Sequence, residues 1–142
     1  RSRMNILRFL TPKSQVAFIM KDCSARQGLE KMRYHGYNAL PVIDAEGRYV
    51  GMVRDGDFLW LIVDRGAANL VALEDIPLST LIRSDNPPVK NSAPMTELLE
   101  RVKENNFVPV IDDRDCFIGL IRRKDVIEYF SKRYLRVAAK KN

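Results

Sequence analysis

Histidine and tryptophan each occur once among the 142 residues and cysteine twice, which removes most of the usual catalytic vocabulary. The single histidine, His35, closes the Lys/Arg-rich stretch "EKMRYH", and no serine or cysteine stands in a recognisable nucleophile motif. Neither general acid–base nor covalent catalysis finds its partners here, and an enzyme is not expected. Cys23 and Cys116 show no CxxC or Cys/His spacing, so two reduced thiols are expected rather than a metal site or a redox pair. The seven glycines compose neither a P-loop nor a dinucleotide GxGxxG. Long apolar runs are also missing. "FLWLIV" at 58–63 falls far short of the roughly 18 to 20 residues of a membrane span, and no charged-then-apolar leader opens the chain. A soluble, cytoplasmic protein is the expectation.

Acidic residues are absent from both ends. Arg1, Arg3, Arg8 and Lys13 contribute four positive charges before residue 14, and Lys132, Arg133, Arg136, Lys140 and Lys141 contribute five after residue 130. Subtracting those nine from the formal +6 leaves the body at −3. Nucleic-acid binding would call for a basic, aromatic-studded stripe along a folded face, so the basic ends read as solvated tails and nucleic acid is not an expected partner.

What the chain does have is a repetition. "LPVIDAEGRYVGMVRDGDFLW" at 40–60 returns as "VPVIDDRDCFIGLIRRKDVIE". Without a gap, Pro41, Val42, Ile43, Asp44, Gly51, Arg54 and Asp57 fall on Pro109, Val110, Ile111, Asp112, Gly119, Arg122 and Asp125. A copy of about fifty residues cannot bury both faces alone, so two copies are expected to share one core about a pseudo-two-fold axis.

Each copy reads as helix, strand, turn, strand, helix. Ser24 with Gln27 forms a capping-box signature for a helix that Gly36 ends, and the second copy opens near Ser92 with Pro94 early in its helix. "ALPVI" and "FVPVI" are apolar enough to be strands covered on both faces, "DAEG" and "DDRD" are turns, and "RYVGMV" and "CFIGLI" are returning strands. Helices follow at 55–65, ended by Gly66, and at about 124–134. Leading strands are expected at Val16 to Ile19 and near Val89. The resulting divisions are a basic arm at 1–13, repeat one at 14–66, a connector at 67–80, repeat two at 81–134 and a basic tail at 135–142. Gly51 and Gly119 read as ending the second strand where a side chain would crowd a cleft, and Asp57 and Asp125 as first-turn carboxylates able to accept hydrogen bonds from a ribose diol. An Asp there also stabilises a helix by roughly 0.3–1 kcal/mol without any ligand.

The amphipathic helix, "GYNALPVID", the turn, "YVGMV" and an Asp six residues after the Gly resemble a CBS domain, and the doubled pattern over residues 14–134 resembles a tandem CBS pair, or Bateman module. The resemblance implies an α/β (α+β) fold of two β-α-β-β-α repeats packed about a pseudo-two-fold axis. It also implies two clefts between the repeats that hold adenine nucleotides such as AMP, ATP or cyclic di-AMP as regulatory ligands, with or without Mg. The resemblance places Tyr37, Asn38 and Ala39 in one repeat and Asn106, Phe107 and Val108 in the other at the base-binding edge, with Gln15 to Ala17 and Pro88 to Lys90 closing the pockets.

One departure from the family pattern matters. Arg54 and Arg122 occupy the place of a phosphate-touching Thr or Ser. They leave two readings: Arg122 with Arg123 and Lys124 takes the phosphate, or Arg54 and Arg122 close the clefts and leave a ligand-free dimerisation or partner-binding module. The apolar helices carrying Trp60 and Tyr129 point to a homodimer, with an effector protein as a further partner.

Overall fold

The computed structural model describes residues 4–65 and 70–141. Five helices and seven strands appear among them: β1 Leu10–Pro12, β2 Ile19–Met20, α1 Ala25–His35, β3 Ala39–Ile43, β4 Tyr49–Arg54, α2 Asp55–Arg65, α3 Leu70–Glu74, β5 Val89–Lys90, α4 Met95–Val102, β6 Phe107–Ile111, β7 Phe117–Arg122 and α5 Arg123–Lys141. The capping box at α1 is formed in full. Ser24 Oγ accepts from the Gln27 N–H, Gln27 Oε1 accepts from the Ser24 N–H, and Gly36 closes the helix in the left-handed region. Helix α4 differs from expectation, since Pro94 itself is the N-cap and Ser92 lies outside the helix. The first leading strand is shorter and later than expected, the second lies at Val89 as expected, and the stop at Gly66 falls outside the described residues.

Two sheets result, β2-β3-β4 and β1-β7-β6-β5. In each, the short leading strand runs parallel to the first long strand and the hairpin closes antiparallel. The N-terminal segment is not a solvated tail, because β1 is laid antiparallel along β7 of the second repeat. Ile6 and Phe9 are buried with it against Val108, Val110, Ile121 and Val126. The connector is exchanged in the opposite sense. Leu73, Ile76 and Leu78 enter the core of the first repeat, and Arg83 pairs with Met52 on β4 as β1 pairs with β7. The basic tail is equally not a loose end: α5 continues to Lys141 as an exposed helix.

The single shared core anticipated from the repeat is therefore divided. Each sheet carries its own apolar cluster, and only a third, smaller one joins them: Ile43, Phe117 and Leu120, flanked by Val16, Phe18, Met20, Tyr49 and Phe107. Beside it the two hairpin turns clasp each other through paired backbone hydrogen bonds, Tyr49 N–H to the Asp115 carbonyl at 3.3 Å and Phe117 N–H to the Gly47 carbonyl at 2.8 Å. Asp44 and Asp112 fix those turns by accepting from N–H groups two and four residues on. The backbone donors of Cys116 and Arg114 hold the Asp112 carboxyl below its ordinary value.

Gly51 and Gly119 acquire a different explanation from the one their spacing suggested. They lie inside β4 and β7, where the exchanged segments cross them. A Cβ on Gly51 would run into the Arg83 carbonyl oxygen, and one on Gly119 into that of Thr11. Gly119 also sits at φ +153°, which other residues rarely adopt. Gly119→Ala is expected to cost about 1–3 kcal/mol in denaturant unfolding, as overpacking does. Gly56→Ala, a helical site where an added Cβ meets nothing within 4 Å, should be neutral or gain up to about 1 kcal/mol.

Candidate functional site

The pseudo-two-fold axis leaves two clefts between the repeats, built from equivalent positions but furnished differently. The larger, about 350 Å³, is lined by Val16, Ala17, Tyr37, Ala39, Pro41 and Met52 of the first repeat and by Phe107, Leu120, Arg122 and Lys124 of the second. Strand alternation supplies the walls. In β3, Ala39 and Pro41 face this space while Leu40 and Val42 face the first core, and in β6 Phe107 faces the space while Val108 turns inward. Arg122 and Lys124 have no ion-pair partner among the described residues, and no carboxylate lines the cavity. An apolar slot with a ring from each repeat and two unpaired cations at one end suits a planar, anionic ligand.

Asp125 lies on the first turn of α5, three residues beyond Arg122. It is half-buried and has no hydrogen-bond or ion-pair partner among the described residues, although it is not itself part of the cavity wall.

The smaller cleft, about 240 Å³, is lined by Asn38, Ala39, Met52, Arg54 and Asp55, by Asn86, and by the run Glu104 to Phe107. Here the cations are occupied. Arg54 Nη1 lies 3.1 Å from Asp85 Oδ1, and Asp57, only 7% exposed, accepts from Arg83 Nε at 2.6 Å and from its own helix start at the Arg54 N–H. Asn86, 3% exposed, donates to the Phe107 carbonyl at 2.9 Å and accepts from Arg101 Nη2 at 2.6 Å. Its own carbonyl takes the Tyr49 hydroxyl, whose pKa burial pushes upward.

Four positions expected at the site, Arg123, Val108, Asp57 and Asp125, do not line either cleft. Arg123 points away from both clefts and caps the end of α4, donating to the carbonyls of Val102 at 2.7 Å and Lys103 at 3.3 Å. Val108 is wholly buried in the second core, because the pleat turns every other residue of β6 inward. Asp57 is spent on Arg83 and the helix start. Lys124, expected beside Arg122 from the run "RRK", does line the larger cleft, whereas Arg83, Asp85 and Asn86 were not singled out and lie in a segment that the repeat does not align.

A family model of the CBS domain matches residues 8–64 and 74–132. The chain belongs to the CBS domain family. Its matched span begins at Arg8 and resumes at Glu74, taking in part of both exchanged segments. An uncharacterised protein of Methanocaldococcus jannaschii is 26% identical over 105 residues, 68% of this chain, which spans about 37% of that relative's length. Cyclic di-AMP receptor B of Bacillus subtilis is 23% identical over 124 residues, covering 87% of this chain and 84% of the receptor. Among solved structures, CbpB in complex with c-di-AMP superposes with a TM-score of 0.85 at 20% identity, over 96% of this chain and 91% of the other. That superposition speaks to the fold: two repeats, two sheets and a pair of clefts between them.

Proposed function

We propose that this CBS pair is a regulatory module that binds an adenine nucleotide, of the AMP, ATP or cyclic di-AMP class, in the larger of its two clefts. The observation that carries the reading is the pair of unpaired cations, Arg122 and Lys124, at the end of a cavity walled by Tyr37 and Phe107. Arg122 takes the phosphate in a bidentate contact and Lys124 adds a point charge, while Asp125 is free to accept from ribose hydroxyls. The relationship to a cyclic di-AMP receptor favours that ligand for the first trial. Since no carboxylate lines the cavity, any Mg would arrive on the phosphates rather than be held by the protein. Unfolding should shift upward in temperature, saturably, with one of cyclic di-AMP, AMP or ATP, because a ligand of the folded state alone must stabilise it. Indifference to all three at millimolar concentration would turn the reading toward a ligand-free interaction module.

Signalling runs through a homodimer, and through it to an effector protein. Helix α2 leaves Leu59, Trp60 and Val63 about 60% exposed, and α5 leaves Ile127, Tyr134 and Leu135 more than half exposed. The α5 face borders an apolar groove between α4 and α5, and exposed apolar faces such as these two are the kind of surface two copies cover mutually. Tyr129 itself is turned inward, edge-on to Phe9 and under Arg8, so the neighbours of Tyr129 rather than its ring form the contact. Trp60 is the sole tryptophan. Its emission should move to the blue as protein concentration rises through the dimer range, and Trp60→Ala should shift sedimentation toward the monomer.

A further inference from the structure

Among the differences between the two clefts is one threaded segment. Residues 83–86, "RSDN", run along the smaller cleft, and their equivalents along the larger one, from the strand pairings, are Thr11 and Gln15 to Val16. In the smaller cleft the counterparts of Arg122 and Asp125 already have partners of the opposite kind. Arg54 meets the Asp85 carboxylate, whereas Arg122 meets none. Asp57 takes the Arg83 guanidinium, whereas Asp125 takes nothing among the described residues. Asn86, locked by Arg101, Tyr49 and the Phe107 carbonyl, stands where Val16 leaves the larger cleft open.

Resting on the nucleotide reading of the larger cleft, we infer that the smaller cleft is a second nucleotide site sealed by a built-in imitation of the ligand. Asp85 supplies the negative charge that a phosphate would bring to Arg54, and Arg83 supplies the donor that a ribose hydroxyl would bring to Asp57. The seal is by charge more than by fit. Arg54 Nη1 is buried yet makes no well-directed hydrogen bond among the described residues, so its pairing with Asp85 leaves a donor that a phosphate oxygen can satisfy. The side chains of Arg83 and Asp85 are 54% and 58% exposed, so both can leave without opening a hole in a core. The consequence is a stoichiometry: one nucleotide per chain, with Arg83 and Asp85 as the residues that set it.

Isothermal titration with AMP tests this on the wild-type chain, on Arg83→Ala/Asp85→Ala and on Asp85→Ala alone, which keeps the Asp57–Arg83 pair should the double variant fail to fold. The expected result is one site per chain in the wild type and two in the unsealed variants, the second vanishing with Arg54→Ala and the first with Arg122→Ala. Two sites in the wild type, or one site in every variant, overturns the seal while the nucleotide reading stands. AMP binding that appears only on unsealing and depends on Arg54 supports the seal and overturns the assignment of the larger cleft. No binding of AMP, nor of ATP or cyclic di-AMP titrated in the same way, to any of the proteins overturns both.

Discussion

Ile6→Ala/Phe9→Ala is expected to unfold the second repeat under conditions in which the wild type is fully folded. Both side chains are removed from water, Ile6 completely and Phe9 to 7%, and they pack on β6, β7 and the first turn of α5. Core truncations of this kind cost about 2–5 kcal/mol for Ile and 3–5 for Phe, with less than full additivity for neighbours. A loss of about 5 kcal/mol or more would consume much of the roughly 5–15 kcal/mol that holds a typical domain together. The same substitutions disturb β1, whose removal would strip β7 of its edge partner. Equilibrium denaturation measures the effect. Lys140→Ala/Lys141→Ala, at the other basic end, should change stability by no more than about 0.5 kcal/mol, because both side chains are exposed. A double variant at Ile6 and Phe9 that lost under about 1 kcal/mol would mean that the arm is not part of the core.

Removing the larger cleft's anion-binding charge should have the greatest effect on ligand binding. Hydrogen bonds to charged groups contribute about 1.5–3 kcal/mol, so Arg122→Ala is expected to raise the nucleotide Kd roughly 10- to 150-fold. Arg122→Lys should recover only part of this, since an ammonium keeps the charge but not the fork geometry. Arg54→Ala is the informative comparison, for it occupies the aligned position in the other repeat. With Arg54 already facing Asp85, its loss should leave the wild-type Kd within a factor of about two. Calorimetric titration at constant salt separates these outcomes. Equal losses for Arg54→Ala and Arg122→Ala would show that the two clefts act alike, and no loss for Arg122→Ala would place the ligand elsewhere.

Much of the architecture is legible in the residues. The repeated identities from Pro41 to Asp57 and from Pro109 to Asp125 encode two hairpins and two following helices, and the capping pair Ser24 and Gln27 marks the start of α1. These signals are local: caps, turns and alternation depend on neighbours a few positions away, and the chain carries them wherever it goes. The alternation of a strand puts Val108 in the core wherever Phe107 faces the cleft. Arg123 was harder, because its target is the end of α4, twenty residues upstream.

What local pattern does not contain is partner choice at long range. The exchange of the N-terminal arm into the second repeat, and of the connector into the first, is set by which apolar residues fit which unfilled core, and no periodicity reports that. The fate of the two arginines was decided in the same way. As sequence, Arg54 and Arg122 are one motif written twice. In three dimensions Asp85 reaches the first while the second faces an open cavity, because the segments threaded past them, being unaligned, carry different side chains. The repeat thus determined that there would be two clefts of one design. Tertiary packing decided which of them is furnished from within, since electrostatic pairing depends on distance in space and not on position in the motif.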